Sequence, residues 1–162
     1  MGGLMSVRHA TLEDIPIIAD LAELMHAESD YKNVPFCREM YENFLNICLG
    51  QNTYCLFVYE KEGEIVGAWM GSVFCHLFSP LLQAADMGVF VKKEHRGGMV
   101  AARLEKAYSE WAVQKAREAG QNHIKIRADV STGHAKAGAF YEAIGYNHVG
   151  GNYSKDVVVG LS

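Results

Sequence analysis

The sequence predicts an α/β chain of the α+β kind, with a mixed sheet and helices on both of its faces. Two β-rich runs, "TYCLFVYE" and "EIVGAWMGSVFC", are joined by "KEGE", a hairpin signal. Residues 98–119 carry Val100, Leu104, Ala107, Tyr108 and Trp111 on one face of a long helix that stops at Gly120. The elements read in the order β-α-α-β-β-β-α-β-α-β-β, without an internal repeat, a low-complexity stretch or a linker. Residues 1–162 are therefore expected to form a single domain.

The elements can be justified in turn. "LMSVRHA" alternates as a first strand. Thr11 then caps a helix with Glu13 and Asp14 in its first turn and Ile17, Ile18, Leu21, Leu24 and Met25 at helical spacing. Residues 31–35 break it. The second helix, "FCREMYENFLNICLG", is expected to bury Met40, Phe44, Ile47 and Cys48 and to end at Gly50. After the hairpin, "HLFSPLLQ" is a loop or strand extension, and "AADMGVFV" is the strand leading into the long helix. "HIKIRADV" is a strand, "GHAKAGAFYEAI" a helix, and "YNHVGG" and "SKDVVVG" two closing strands.

Composition narrows the function. The formal charge of −4 and the absence of interleaved aromatics argue against a nucleic-acid partner. Cys37, Cys48, Cys55 and Cys75 show no CxxC pair and read as reduced core residues, which favours a cytoplasmic location. The seven histidines are scattered, so no metal is expected. No apolar run reaches the roughly 18–20 residues that span a bilayer, and no signal peptide is read, so no membrane association is expected.

The stretch "KKEHRGGMVAARLEKA", residues 92 to 107, sets a basic turn directly against the start of a helix. A helix N-terminus exposes unpaired N–H groups and the positive end of the dipole, and glycines let an anion approach the backbone. Lys92, Lys93, His95 and Arg96 add positive charge around Gly97 and Gly98. The physics supports a pyrophosphate site, and the alternative is a tight strand-to-helix connection. The stretch is neither a GxxxxGK[ST] loop nor a GxGxxG fingerprint.

"VFVKKEHRGGMVAARL" resembles the central motif of the GNAT-type N-acetyltransferase superfamily, in which a strand ends in hydrophobic–x–Val and Arg/Gln-x-x-Gly-x-Gly/Ala opens a helix. Val89 and Val91 match the strand, Arg96 the first loop position, Ala101 the last and Leu104 the first core leucine. Met99 stands where the family usually has glycine. "HAKAGAFYEAIGY" resembles a second motif of the family through Lys136, Ala137, Phe140, Tyr141, Glu142, Gly145 and Tyr146, with His134 where asparagine is usual. The two motifs lie in the family's order, and the resemblance covers nearly the whole chain.

The resemblance implies the acyl-CoA N-acyltransferase fold, a mostly antiparallel central sheet with a splayed pair of parallel strands, here residues 87–91 and 124–129. It implies acetyl-CoA as acyl donor, with pantetheine along the exposed strand and pyrophosphate on the N–H groups of residues 97 to 101. The cofactor-binding residues would be Val89, Val91, Arg96, Gly97, Gly98, Met99, Val100, Ala101, His134 and Lys136. Gly88 reads either as a bulge or as a packing glycine.

The implied reaction moves an acetyl group from the thioester directly to an amine, which requires a neutral amine, a stabilised oxyanion and a proton for the leaving thiolate. The motif makes Tyr141 the proton donor, the other reading being a core aromatic beside Phe140. The oxyanion would meet a backbone N–H near Val89. Asp86, His76 or water alone could serve as base. An amine acceptor, not identified by the sequence, would sit between the first two helices and the last strands, where Glu23, Glu28, Asp30, Glu39 and Glu42 could favour a cationic amine or simply form a solvated face. The alternative to an enzyme is a non-catalytic acyl-CoA-binding module of the same fold. "DVVVG" could pair across a homodimer or lie covered within one subunit.

Overall fold

The computed structural model describes residues 5–130, 135–151 and 154–159. Five strands form one sheet: β1 (Met5–His9), β2 (Tyr54–Lys61), β3 (Glu64–Cys75), β4 (Leu82–Val91) and β5 (Lys125–Arg127). They lie in sequence order, antiparallel from β1 to β4 and parallel between β4 and β5. The β2–β3 hairpin turns on Glu62 and Gly63, both at positive φ (54° and 81°), the pairing that a tight two-residue connection needs.

Helices α1 (Ile15–Glu28) and α2 (Arg38–Leu49) cover one face of the sheet, while α3 (Met99–Glu118) covers the other. The short α4 (Ala135–Ala143) follows β5, and its Tyr141 packs on the α3 side. Thr11 heads a single 3-10 turn rather than α1 itself. Its N–H donates to Asp14 Oδ2 at 2.8 Å, and Arg8 holds the same carboxylate at 2.6 Å. This pairing lets Asp14 be buried, and the Arg8 hydrogen bond holds its carboxyl below the usual carboxylate range.

Two glycines of β3 set the depth at which α3 sits. A Cβ on Gly67 would lie 2.9 Å from Val100 Cγ1, and one on Gly71 would lie 2.4 Å from Tyr108 Cε2. The helix thus packs against bare backbone, and Val100, Leu104, Tyr108, Ala112 and Ala116 are buried in one stripe. Ala107 and Trp111, expected on that face, are half-buried at its margin. Trp69 from β3 stacks on Tyr108 with ring centroids 5.4 Å apart.

The α1–α2 layer departs from the expected faces. In α2 the buried side chains are Leu45 and Cys48, Phe44 is half-buried, and Met40 and Ile47 are exposed, Met40 by 69%. In α1 Ile18 and Leu21 are buried with Ile15, Ala19 and Ala22, whereas Ile17 and Leu24 face out. Helical spacing defines a stripe but not its exact azimuth, which here is set by the approach to β2 and β3. The cysteines divide likewise: all four are free, Cys48 and Cys55 are buried, and Cys37 and Cys75 are exposed, against the expectation of four core residues.

The two closing strands do not form among the described residues. Residues 146–151 and 154–159 carry no strand, and Val157, Val158 and Val159 are exposed. Valine favours an extended backbone only where a partner strand and a packed face reward it. The neighbouring β5 is three residues long, shorter than the eight-residue run expected, and offers little ladder to extend. Among the described residues no helix is long and apolar enough to cross a membrane.

Candidate active site

The parallel ladder between β4 and β5 ends at the pair Ala85–Arg127. Opposite the next residues, β3 and β4 slip in register: Gly71 pairs with Asp86 and Met70 with Gly88, so Met87 is an extra residue on β4. The two expected strands therefore do part, with residues 86–91 free of β5. Gly88 at this bulge is also a packing glycine, since a Cβ there would lie 2.6 Å from Phe90 Cζ. Both sequence readings of Gly88 hold at once.

Asp86 occupies the point where the strands separate. Its Oδ1 accepts a hydrogen bond from the Asp129 N–H at 2.9 Å, so a side chain replaces the main-chain acceptor that a continuing ladder would supply. The Tyr141 hydroxyl donates to Oδ2 at 3.5 Å, a long contact of the kind that tightens in a loaded site. Burial pushes the Asp86 carboxyl up to about 6, against the lowering effect of these two donors. Such a group is largely ionised at neutral pH yet close enough to it to exchange a proton. Burial also pushes the Tyr141 phenol well above its ordinary range, so it is held protonated.

A second bonded group supports α4. The Tyr146 hydroxyl donates to Glu105 Oε1 at 2.8 Å, and Ser109 donates to the same oxygen at 2.5 Å. The Tyr146 ring stands edge-on to Tyr141 at 5.3 Å, and Trp69 is edge-on to Tyr141 at 6.4 Å. Glu105, Ser109, Tyr141 and Tyr146 border a cleft of about 990 Å³ between α3, β5 and α4. Sequence reasoning missed Glu105, Ser109 and the Asp129 N–H. The i, i+4 spacing of Glu105 and Ser109 at the edge of the α3 stripe was the available signal.

At the far end of β4 lies the basic turn. Gly97 has φ +77° and Gly98 is extended at the N-cap of α3, and the Cβ position of Gly97 meets nothing within 4 Å. The first N–H groups of α3 have no intrahelical partner, so the turn is an open set of donors that fits a pyrophosphate. Val100 and Ala101 turn their side chains to the sheet and offer only backbone there, as Val89 and Val91 do from β4. Met99 is 62% exposed and borders a 330 Å³ cavity on the β1–β2 side of the turn, with Met5, Tyr59 and Lys61.

Arg96 is already engaged. Its Nε donates to the Val91 carbonyl at 2.9 Å, one terminal nitrogen to Glu28 Oε2 at 2.6 Å, and the other to Met25 Sδ at 3.0 Å. Lys92 pairs with Glu64. Lys136 is exposed on α4, and His134 lies outside the described residues. His76 accepts from the Phe78 N–H at 3.3 Å in the β3–β4 loop, beyond the Cys75–Leu82 pair. Four strand steps separate that pair from Asp86, about 13 Å at strand rise, so the two candidate bases are not brought together. The carboxylates of α1 and α2 outnumber their cationic partners: Arg38 alone bonds Asp20 and Glu42 and lies 3.7 Å from Glu23, and Arg96 bonds Glu28.

The same architecture occurs in solved structures. The chain superposes with a TM-score of 0.71 on an aminoglycoside acetyltransferase from an uncultured soil metagenomic sample, at 17% identity, covering 96% of this chain and 97% of that one. A predicted acetyltransferase with acetyl-CoA from Clostridium acetobutylicum gives 0.70 at 13% identity, with 94% and 96% covered. A ribosomal-protein-alanine N-acetyltransferase from Brucella melitensis biovar Abortus 2308 gives 0.63 at 16% identity, with 97% and 99% covered. At these identities the likeness is one of fold. No curated protein matches by sequence. The family model for the acetyltransferase (GNAT) family matches residues 21–146, a span containing the parted strands, the glycine turn and Tyr141, and the chain belongs to that family.

Proposed function

We propose that this protein transfers an acetyl group from acetyl-CoA directly to a primary amine of a small molecule or peptide. The observation that carries the reading is the Asp86–Tyr141 pair at the point where β4 leaves β5, on the same strand that ends in the glycine turn. Pyrophosphate on the N–H groups of residues 97–101 would direct the pantetheine arm along the unpaired edge of β4 toward that pair, adding to it like a strand.

In this reading Asp86 accepts a proton from the attacking amine, directly or through water, and Tyr141 donates one to the departing thiolate. A thiol of pKa about 8.5 leaves with modest help, so a neutral phenol suffices. A backbone N–H near Val89 would meet the oxyanion. Arg96 contributes as a strut for the turn rather than as a phosphate ligand, because its guanidinium is already bonded to Val91, Glu28 and Met25. Similar folds act on aminoglycosides and on a ribosomal-protein alanine. The five carboxylates of α1 and α2 outnumber the two guanidinium groups that bond them, and the remaining negative charge would suit a cationic amine.

Titration calorimetry with acetyl-CoA and free CoA tests the donor site, and micromolar binding is the expected result. Tyr141→Phe should then lower kcat about 100-fold while the dissociation constant for acetyl-CoA stays within about twofold. Loss of affinity with kcat unchanged would assign Tyr141 to packing. Binding without transfer to any amine in a broad library would favour the second reading, an acyl-CoA-binding module, for which the exposed Met99 at the glycine position of the motif is the supporting observation.

A further inference from the structure

Two buried donors of the α3 layer have no protein partner: the hydroxyl of Tyr108 and the indole N–H of Trp69, both on residues with 0% exposure. A buried donor left unmatched costs about 1–3 kcal/mol, so a pair of them beside a candidate site calls for an explanation. Their position follows from the sheet. Gly71 is the direct cross-strand partner of Asp86, and directly opposed residues of an antiparallel pair share a face. The Tyr108 ring fills the place where a Gly71 side chain would be, its Cε2 atom, next to the hydroxyl-bearing carbon, only 2.4 Å from the Cβ position. Trp69 lies two residues away on the same face and stacks on Tyr108. The missing side chain at position 71 therefore brings a phenol onto the face that carries the Asp86 carboxylate.

We propose that Tyr108 is a positioning residue for Asp86, its hydroxyl and the Trp69 indole N–H donating to a water that in turn donates to the Asp86 carboxylate. Such a water would accept from these two donors and donate once, and a buried water making about three hydrogen bonds is ordinary. The water-mediated bond favours the ionised carboxylate. The groups facing Asp86 are Asp129 and its N–H from beyond β5, Tyr141 from α4, Tyr146 bonded to Glu105 of α3, Tyr108 itself, and Cys55 of β2, whose Sγ lies 3.2 Å from the Gly71 Cβ position. Burial pushes the Cys55 thiol up to about 12, so it stays neutral through the range in which Asp86 titrates.

The test is the titration of Asp86 in the free protein, followed by carboxyl carbon NMR on 13C-aspartate-labelled material and assigned with Asp86→Asn. Tyr108→Phe should raise the Asp86 midpoint by about one unit, since a hydrogen bond to the charged form has been removed. Trp69→Phe, a second variant lacking the other donor, should move it the same way. The kinetic arm rests on the acetyltransferase reading: the acid limb of the kcat profile should shift to higher pH, with KM for acetyl-CoA unchanged. The NMR arm does not depend on activity, so an inactive protein with a shifted Asp86 midpoint would sink the enzymatic reading and keep this one. A midpoint unchanged in both variants overturns the proposal and leaves Tyr108 a core aromatic.

Discussion

Helix α3 runs for 20 residues and buries five side chains against the sheet, whereas α4 runs for nine and none of its described side chains is fully buried. The first is seated by absence, on the bare backbone of Gly67 and Gly71. The second is tethered near Asp86 by the Tyr141 hydroxyl and, just past its end, to Glu105 by Tyr146. One helix is fixed by dispersion and apolar burial, and the other by a few directional bonds at the rim of a cleft. The contrast teaches how the proposed chemistry is divided. A rigid element presents the anion-binding N–H groups, while the proton donor rides on an element with little hydrophobic anchorage and correspondingly low local stability.

Breaking the seat of α3 should have the largest effect. Gly71→Ala places a methyl group 2.4 Å from the Tyr108 ring, in a spot walled by Cys55, and should destabilise the whole fold by about 3 kcal/mol, read as a lower denaturant midpoint with unchanged slope. Next is the charge beneath it. The folded pKa of Asp86 is raised to about 6 from 3.8, so the folded state binds more protons than the unfolded state between these values, and stability falls as pH rises through that window. Asp86→Asn keeps an acceptor for the Asp129 N–H. It should gain about 2 kcal/mol over the unsubstituted protein at pH 8, a difference that vanishes near pH 4. Equal stability at both pH values would refute the buried-carboxylate account.

The smallest effect is expected at α4. Tyr146→Phe removes one hydrogen bond to Glu105 and should cost about 1 kcal/mol. Because α4 is held locally, the loss should appear as faster amide exchange in α4 and a kcat lowered a few-fold, with the global midpoint barely moved. A drop in the global midpoint equal to that of the local exchange would show α4 to be part of the same cooperative unit as α3.

The parts of the molecule visible in the sequence are those specified locally. The hairpin declared itself through Glu62–Gly63, and α3 through its stripe and the stop at Gly120, which has φ +70°. The parted strands were legible because two motifs, each contiguous, resemble those of one family. What escaped depends on contacts between distant segments. Nothing near Arg96 tells that its guanidinium meets Glu28, 68 residues earlier. Gly71 and Tyr108 are complementary across 37 positions, and neither residue is unusual where it stands. The outward turn of Met40 and Ile47 follows from how α2 docks, and periodicity leaves that angle free.

The three bonds of Arg96 have a further consequence. They join the carbonyl of the last residue of β4, the glycine turn and the C-terminal end of α1 into one mechanical piece. A ligand resting on α1 therefore cannot displace that helix without tilting the N–H donors of the proposed pyrophosphate site. Thermodynamic linkage then makes the effect mutual: whatever an acceptor on the α1 side does to the affinity for acetyl-CoA, acetyl-CoA does to the affinity for that acceptor, by the same factor.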